Sequence, residues 1–410
     1  MTSSVDPVND DVDGLVELGA RRLLATYRPQ PVVAVRGRGA ELFDAAGRRY
    51  LDFCAGVAVC SLGHAHPELA RTIAAQAAEL MQVSNYFYNK ENVLLADELC
   101  GAAGFARAFF CNSGAEANEA ILKLVRQHFH LRGEGDRVRV IAFERAFHGR
   151  TMGALALTGT AAYRAGFGPP LAGIEHAPYG DLDAVRARMG RDVAAIHVEP
   201  VQGEGGVLVA PEGFLPGLRR LCDEHGALLT MDEVQTGVGR TGRFLASEHF
   251  DTKADAIALA KGLGGGFPIG AMLVREELSG SLPPGLHGST FGGNPLASAA
   301  ARTVLRVIAS EGLMDRARVL GARLGAGLAE VARDFPALCS GERGLGLLRA
   351  LVLREGVESR NLLGPARERG LLLTAAGASA LRYTPPLTVG ERDIDEAVER
   401  TRATLAGFAK

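Results

Sequence analysis

The sequence lacks the features of a disordered chain, a membrane protein or a nucleic-acid-binding protein. Its 410 residues are 47% apolar and carry a net charge of −2, whereas disordered chains combine low apolar content with high net charge. The charge balance leaves no basic surplus for nucleic acid, and no uninterrupted apolar run approaches the roughly 20 residues of a membrane helix. We therefore expect a globular protein with a sizeable core, no nucleic-acid partner and no membrane span.

Signals for export and for disulfide or zinc frameworks are also missing. The acidic N-terminal residues contain no positively charged region followed by an apolar one, so we predict no signal peptide. The six cysteines form no CxxC pair, which disfavours a zinc ribbon or a disulfide scaffold. We expect reduced thiols in a cytoplasmic protein. These cysteines are Cys54, Cys60, Cys100, Cys111, Cys222 and Cys339.

The common nucleotide-binding motifs are absent. No GK[ST] tripeptide follows a strand, so a P-loop is excluded, and GLGGGF lacks the third glycine of GxGxxG. A nicotinamide-dependent oxidoreductase is therefore disfavoured. His64 and His66 stand in a turn without a further ligand cluster, and we predict no metal site.

Lysine is scarce, which narrows the search for a reactive amine. Of the five lysines, Lys261 follows the apolar run AIALA and precedes the glycine run GLGGG, at the strand end where ligands bind in open α/β sheets. A partly desolvated lysine there would be nucleophilic toward a carbonyl. The alternative is a surface lysine with a buried stem, and position alone leaves both open. The other four lie in less suitable settings: Lys90, Lys123, Lys253 and Lys410.

The hydrophobic pattern predicts an α/β fold. Short apolar strands alternate with helices from about residue 61 to 300, which indicates a large domain with a mostly parallel sheet covered by helices. Residues 36–53 read as a β-meander. Residues 301–410 are predicted to form a smaller α+β domain, joined by residues 1–60 from the other chain end.

Polar residues follow several of the predicted strands. Asp232 ends ALLTM, where a carboxylate could pair with a protonated ring nitrogen. The segment Ser113–Ala115 opens a helix and could cradle an anion, although an ordinary helix cap has the same residues. Phe147 could stack on a planar ring, and Arg150 could bind a carboxylate. The alternative is that the phenylalanine belongs to the hydrophobic core and the arginine lies on the surface.

A second group of polar residues lies further along the chain. Glu204 is one of two carboxylates in a glycine-rich loop after VAAIHV. The alternative is an ordinary solvated loop without a functional role. Ser289 and Thr290 form a flexible turn before a helix. Arg382 stands alone on an apolar strand, a position that requires an anionic partner.

Taken together, these segments resemble the class III aminotransferases of pyridoxal-phosphate (PLP) fold type I, and most of all their acetylornithine group. The likeness extends from about residue 27 to the C-terminal helix. Its markers occur in family order: CAGVAVCSLGHAHP, NSGAEANEAILKLVR, FHGRTMGALALTG, EPVQGEGG, DEVQTGVGRTG, AKGLGGGFPIGA, HGSTFGGNPLAS and LRYTPPL.

The resemblance implies a cofactor site that agrees with the residues above. Lys261 would form the covalent bond to pyridoxal 5'-phosphate and later move a proton. Asp232 would pair with the ring nitrogen and Gln235 with the ring hydroxyl. Phe147 would stack on the ring. The phosphate would be held by Ser113, Gly114 and Ala115, and by Thr290 of the neighbouring subunit, which implies a homodimer.

The resemblance also implies the substrates. Arg150 and Arg382 would bind carboxylates, Glu204 would neutralise Arg382 while the amine substrate is bound, and Ser289 could touch the substrate.

The expected reaction is a ping-pong transfer from the terminal amine of N-acetylornithine to 2-oxoglutarate. Members that use free ornithine usually carry a tyrosine where this chain has the small residues 56–58, which favours an acylated substrate. Ornithine, succinylornithine, 4-aminobutyrate and carrier-bound lysine remain rivals. The chain departs from the family pattern at positions such as Cys60, where members often carry Asn.

Overall fold

The computed structural model describes residues 12–408. The prediction of no signal peptide concerns the acidic N-terminal residues, which lie outside this range, as does Lys410. Within it, every helix is too short or too polar to cross a bilayer. All six cysteines are free thiols.

Helices of the described chain carry the labels α1 to α13 in chain order. They are α1 (Val12–Arg22), α2 (Ala55–Ala58), α3 (Pro67–Glu79), α4 (Lys90–Ala103), α5 (Gly114–Leu131), α6 (Met152–Leu157), α7 (Ala161–Arg164), α8 (Leu182–Arg186), α9 (Phe214–His225), α10 (Pro295–Ser310), α11 (Leu313–Asp334), α12 (Arg360–Glu368) and α13 (Glu391–Phe408). Three short 3-10 helices span Ala246–Phe250, Lys261–Gly264 and Glu276–Leu278.

Strands of the described chain carry the labels β1 to β17. They are β1 (Ala34–Arg38), β2 (Glu41–Asp44), β3 (Arg49–Asp52), β4 (Arg107–Cys111), β5 (Arg139–Phe143), β6 (Ile174–Ala177), β7 (Val193–Val198), β8 (Val201–Gln202), β9 (Leu208–Val209), β10 (Leu228–Asp232), β11 (Ala256–Leu259), β12 (Gly270–Val274), β13 (Cys339–Leu345), β14 (Leu348–Leu353), β15 (Leu371–Leu372), β16 (Thr374–Ala376) and β17 (Ala380–Tyr383).

A seven-stranded sheet forms the centre of the molecule, in the order β4-β12-β11-β10-β7-β5-β6. The pairs β11–β10, β10–β7, β7–β5 and β5–β6 are parallel, and β12 runs antiparallel to both of its neighbours. This sheet confirms the predicted α/β class with a mostly parallel sheet. Its parallel strands bring their carboxyl ends to one edge.

Both faces of this sheet are covered, as parallel sheets require. Side chains of β5 alternate between two separate cores: Ile141 and Phe143 enter one, while Val140 and Ala142 enter the other. The second core contains the apolar face of α5, and the first contains α9 and α10. The helices therefore fix the sheet from both sides and leave its edge available for a site.

The two ends of the chain meet in smaller sheets. The meander β1-β2-β3 continues into β15 through a parallel pair that sets Leu51 against Leu371. A further sheet has the order β13-β14-β17-β16. The division into residues 1–60, 61–300 and 301–410 stays a prediction, and its boundary near residue 300 falls inside the continuous helix α10.

Two helical glycines provide a test of the packing. A Cβ on Gly321 of α11 would lie 2.1 Å from the backbone oxygen of Gly346, whereas a Cβ on Gly101 of α4 would meet nothing within 4 Å. We predict that Gly321→Ala lowers the free energy of unfolding by about 1–3 kcal/mol, because two backbone segments must separate. Gly101→Ala, the matched control, should raise it by up to ~1 kcal/mol through helix propensity. Denaturant unfolding measures both, and equal effects would contradict this packing.

Candidate active site

A cavity of about 410 Å³ lies at the carboxyl edge of the large sheet. This volume is in the range of small-molecule sites. Eight of the residues predicted from the sequence line it: Ser113, Gly114, Ala115, Phe147, Arg150, Asp232, Gln235 and Lys261. Successive parallel strands deliver these residues, because the loops after β5, β10 and β11 all open at the same edge.

Lys261 stands just beyond the end of β11. It opens a 3-10 helix with a φ of 40°, a left-handed conformation that costs a non-glycine residue of the order of 1 kcal/mol or more. Burial lowers the pKa of Lys261, and the nearby Glu204 carboxylate partly opposes this shift. A larger fraction of the amine is therefore unprotonated than in water, and an unprotonated amine can attack a carbonyl.

Asp232 ends the neighbouring strand β10 and is only 4% exposed. Its Oδ2 accepts hydrogen bonds from Asn118 Nδ2 at 2.7 Å and from His148 Nδ1 at 2.8 Å, and its Oδ1 accepts one from Val234 N at 2.9 Å. Burial raises the pKa of Asp232, but its bonds to His148 and the backbone outweigh burial and leave that pKa below its usual value. The result is a buried, ionised carboxylate that faces the cavity.

The N-terminus of α5 forms one wall of the cavity. Ser113 caps it, since its Oγ accepts a hydrogen bond from Glu116 N at 3.3 Å. The Glu116 side chain accepts a hydrogen bond from Asn112 N rather than from the backbone N–H of Ser113. A Cβ on Gly114 would lie 2.7 Å from Val234, so glycine is needed there. An anion would meet free helix N–H groups and the positive end of the helix dipole.

Phe147 and Arg150 lie at another wall of the cavity. The Phe147 ring lies edge to face with Tyr163 at 6.2 Å, and its backbone N–H donates to Glu199 Oε2 at 3.2 Å. The exposed Arg150 guanidinium lies over the Tyr163 ring at 4.0 Å. Arg150 is thus directed by a cation–π contact while its N–H groups stay available for a carboxylate.

Glu204 and Arg382 form an ion pair next to the cavity. Arg382 Nη1 lies 2.5 Å from Glu204 Oε1, and it also donates to Gln235 Oε1 at 3.0 Å and Gly203 O at 3.1 Å. Arg382 is 2% exposed, and Glu204 supplies the anionic partner that its position on an apolar strand requires. Burial raises the pKa of Glu204, but Arg382 and then Lys261 hold it below its usual value.

Ser289 and Thr290 are not part of this cavity in the same protomer. They line an adjacent cleft together with Asn112, whose Nδ2 lies 3.3 Å from Ser289 Oγ. Their loop is held by Asn85 Nδ2, which donates to the backbone oxygens of Ser289 and Gly292, and Thr290 itself is exposed.

Four further polar residues line the cavity and were not predicted from the sequence: Asn112, Asn118, His148 and Glu199. Asn118 lies one turn along α5 from Gly114, and His148 follows Phe147. Glu199 directly follows β7, so its place at a strand end was a usable signal. Burial raises the pKa of Glu199 well above its usual value, and the charge of Asp232 adds to this.

These residues fit pyridoxal phosphate. A helix N-terminus with an obligatory glycine suits a phosphate, a buried carboxylate suits a protonated ring nitrogen, and an amine of lowered pKa suits an aldehyde. The anion cradle, Asp232 and Lys261 all line one cavity.

Comparison with known proteins agrees with this geometry. The family model for class-III aminotransferases matches residues 24–405. The chain is 49% identical to an acetylornithine aminotransferase of Myxococcus xanthus, over 94% of this chain and 96% of that protein. It is 45% identical to acetylornithine aminotransferase 1 of Bradyrhizobium diazoefficiens, over 95% and 96%.

Solved structures give the same result. The ornithine aminotransferase of Toxoplasma gondii superimposes with a TM-score of 0.93 at 34% identity, covering 97% of this chain and 96% of that one. The N-acetylornithine aminotransferase of Stenotrophomonas maltophilia gives a TM-score of 0.84 at 37% identity, covering 96% and 99%. With a matching family model and such relatives along nearly its whole length, the chain belongs to the class-III aminotransferase family.

Proposed function

We propose that this enzyme uses pyridoxal phosphate to transfer the terminal amino group of N-acetylornithine to 2-oxoglutarate, forming N-acetylglutamate 5-semialdehyde and glutamate in arginine biosynthesis. The observation that carries this proposal is the Arg382–Glu204 ion pair beside a cavity that contains a lysine of lowered pKa. The names of the similar Myxococcus and Stenotrophomonas proteins support the choice of amine. The cytoplasmic location predicted from the reduced thiols stays a prediction.

The cofactor would be held by residues of both cavity walls. Ser113, Gly114 and Ala115 would bind the phosphate, Phe147 would contact the ring, and Asp232 would keep the ring nitrogen protonated. Gln235 would bind the ring hydroxyl. When bound, pyridoxal phosphate withdraws electrons from the amine-bearing carbon of the substrate and so makes its proton acidic.

Lys261 would be the catalytic acid and base. Its amine would hold the cofactor in the resting enzyme, and would take the proton from the amine-bearing carbon of the substrate once it is released. Lowered by burial, the pKa of this amine is closer to the working pH, which suits a group that must both take and return a proton. The same amine would return this proton to the cofactor's former aldehyde carbon, on the other side of the substrate nitrogen.

Two substrates with different charges must use one cavity in turn. 2-Oxoglutarate carries two carboxylates, whereas the reacting end of N-acetylornithine carries none. Glu204 would neutralise Arg382 during the amine half-reaction and move aside when the second carboxylate of 2-oxoglutarate binds. Arg150 would bind the remaining carboxylate of each substrate, so that chain length sets which atom reaches the cofactor.

A second copy of the chain would complete the site. Large aromatic side chains surround the Thr290 turn and are largely exposed, with Tyr86 at 93% and Tyr88 at 97%, and Phe87 and Phe291 also exposed. Such a contiguous apolar surface is unusual on a monomer and marks an interaction site. We propose a homodimer in which these residues are covered and Thr290, with Ser289, reaches the partner's cavity.

Substrate rates test the proposed reaction. We predict that N-acetylornithine gives the highest kcat/KM with 2-oxoglutarate as acceptor, by about tenfold or more over free ornithine, because a wrong end group typically costs 1–3 kcal/mol. Succinylornithine and 4-aminobutyrate complete the panel, and coupled assays of glutamate formation measure all four. A preference for ornithine or 4-aminobutyrate would contradict the proposed amine.

Separate half-reactions test the role of Arg382. We predict that Arg382→Ala slows the 2-oxoglutarate half-reaction by about 100-fold, the loss of one charge-assisted interaction, and the amine half-reaction by much less. Single-turnover absorbance changes measure each half. Glu204→Gln is the matched variant, since it keeps Arg382 but leaves it without a counter-ion in the amine half-reaction. Equal losses in both halves for Arg382→Ala would contradict the exchange of partners.

Mixed dimers test the origin of Thr290. A dimer of one Lys261→Ala protomer and one Thr290→Ala protomer would contain one intact site if Thr290 crosses the interface, and none if it acts within its own protomer. We predict that purified mixed dimers recover about half of the wild-type activity, since one of two sites is restored. The two parent homodimers are the controls. Recovery no greater than that of the Thr290→Ala homodimer would contradict the shared site.

A further inference from the structure

We propose that Asn118 and His148 are positioning residues that fix the charge and orientation of Asp232, and through it the proton on the cofactor's ring nitrogen. This inference deepens the proposed function, because it rests on pyridoxal phosphate occupying the cavity. Both residues line the cavity, but each would act through Asp232 rather than on the reacting atoms.

The hydrogen bonds around Asp232 are unevenly distributed between its two oxygens. Asn118 Nδ2 and His148 Nδ1 both donate to Oδ2, at 2.7 and 2.8 Å, whereas Oδ1 accepts the N–H of Val234. Two side-chain donors thus restrain the Asp232 carboxylate from rotating. Oδ1 has one lone pair left, which could accept a hydrogen bond from the protonated ring nitrogen of bound pyridoxal phosphate.

The orientation of each donor is itself fixed. Asn118 Nδ2 also donates to the backbone oxygen of His148 at 2.8 Å, so both of its partners are acceptors and the amide cannot be reversed. Asn118 is fully buried and His148 is 2% exposed. The hydrogen bond from Asn118 to the His148 backbone therefore fixes the two residues relative to each other, independently of their bonds to Asp232.

A neutral histidine stands behind His148. The His197 ring lies 4.4 Å from the His148 ring, and its Nδ1 is 2.9 Å from the Thr230 hydroxyl, which itself donates to Ile196 O. Since the hydroxyl proton is used, the His197 Nδ1–H must be the donor. Burial lowers the pKa of His197 to about 3, so it brings no positive charge of its own.

The charged or titratable groups around Asp232 are His148, His197, Glu199 and Lys261. The two carboxyl groups are pushed apart: burial raises the pKa of Glu199 well above its usual range, while the donors on Asp232 keep its pKa low. These opposite pKa shifts favour the neutral form of Glu199 and the charged form of Asp232. His148 is the leading cause that opposes burial at Asp232, and Asn118 donates a second side-chain hydrogen bond to the same oxygen; neither residue bonds to the Glu199 carboxyl.

The test compares variants that remove or retain the donors. His148→Phe and Asn118→Leu remove an N–H donor at nearly constant volume, whereas His148→Asn can place an amide N–H where Nδ1 stands. His249→Phe, in the 3-10 helix Ala246–Phe250, is the matched control for loss of a histidine elsewhere. Each protein is loaded with pyridoxal phosphate and the visible absorbance of its lysine-bound form is titrated with pH.

We expect His148→Phe and Asn118→Leu to move the titration midpoint upward by about one pH unit, because a less protonated ring withdraws fewer electrons from the lysine linkage. The kcat should fall about tenfold with little change in KM. His148→Asn should restore most of the midpoint, and His249→Phe should match the wild type. Loading with an analogue that has carbon in place of the ring nitrogen should abolish the difference between each variant and the wild type.

Three results would overturn the inference. One is a midpoint shift that persists with the carbon analogue, which would indicate a merely structural role. Another is a shift as large in His148→Asn as in His148→Phe. The third is an unchanged midpoint in Asn118→Leu, whose test stands even where His148→Phe fails to fold. Absence of the visible band in the loaded wild type would instead reject the proposed function itself.

Discussion

An ionised carboxylate that is almost inaccessible to water is the constraint on which the site depends. Burial alone would raise the pKa of Asp232, as it does that of Glu199, which lines the same cavity. The difference comes from hydrogen-bond donors on α5 and after β5 that converge on the end of β10. The packing of α5 against the sheet therefore also places one of the two side-chain donors on this carboxylate. Burial also disfavours the charged form of Lys261, and because this form is the protonated one, the pKa of Lys261 is lowered.

Topology explains how residues far apart in the chain reach one cavity. The strands β5, β7, β10 and β11 are parallel neighbours, so their carboxyl ends open at one edge of the sheet. The smaller sheets add Arg382 from β17, on a strand that pairs with β14 rather than with the large sheet. The ion pair between Arg382 and Glu204 thus joins a loop of the large sheet to the sheet formed near the chain end. A charge exchange at this pair would report which substrate is present.

Much of this arrangement was predictable from the sequence, because strand ends and helix starts carry local signals. The β-meander, the alternation of strands and helices, and the strand-end positions of Lys261 and Asp232 follow from hydrophobic periodicity and flanking glycines. Asn118 and His148 could not be singled out that way. Their importance arises from contacts across 114 and 84 residues of chain, which periodicity does not encode. Likewise, the exclusion of Thr290 from the cavity of its own protomer depends on loop geometry that a glycine-rich turn leaves undetermined.

We propose that Lys261 carries the cofactor opposite Asp232, and this linkage can be located chemically. Borohydride reduction of the enzyme loaded with pyridoxal phosphate converts the lysine linkage into a stable secondary amine, which peptide mass mapping then locates. We predict one phosphopyridoxyl group per chain, on the peptide that contains Lys261, and its loss when N-acetylornithine is added before the reductant. Label on Lys90, Lys123 or Lys253 in place of Lys261, or a label that the amine substrate does not remove, would contradict it.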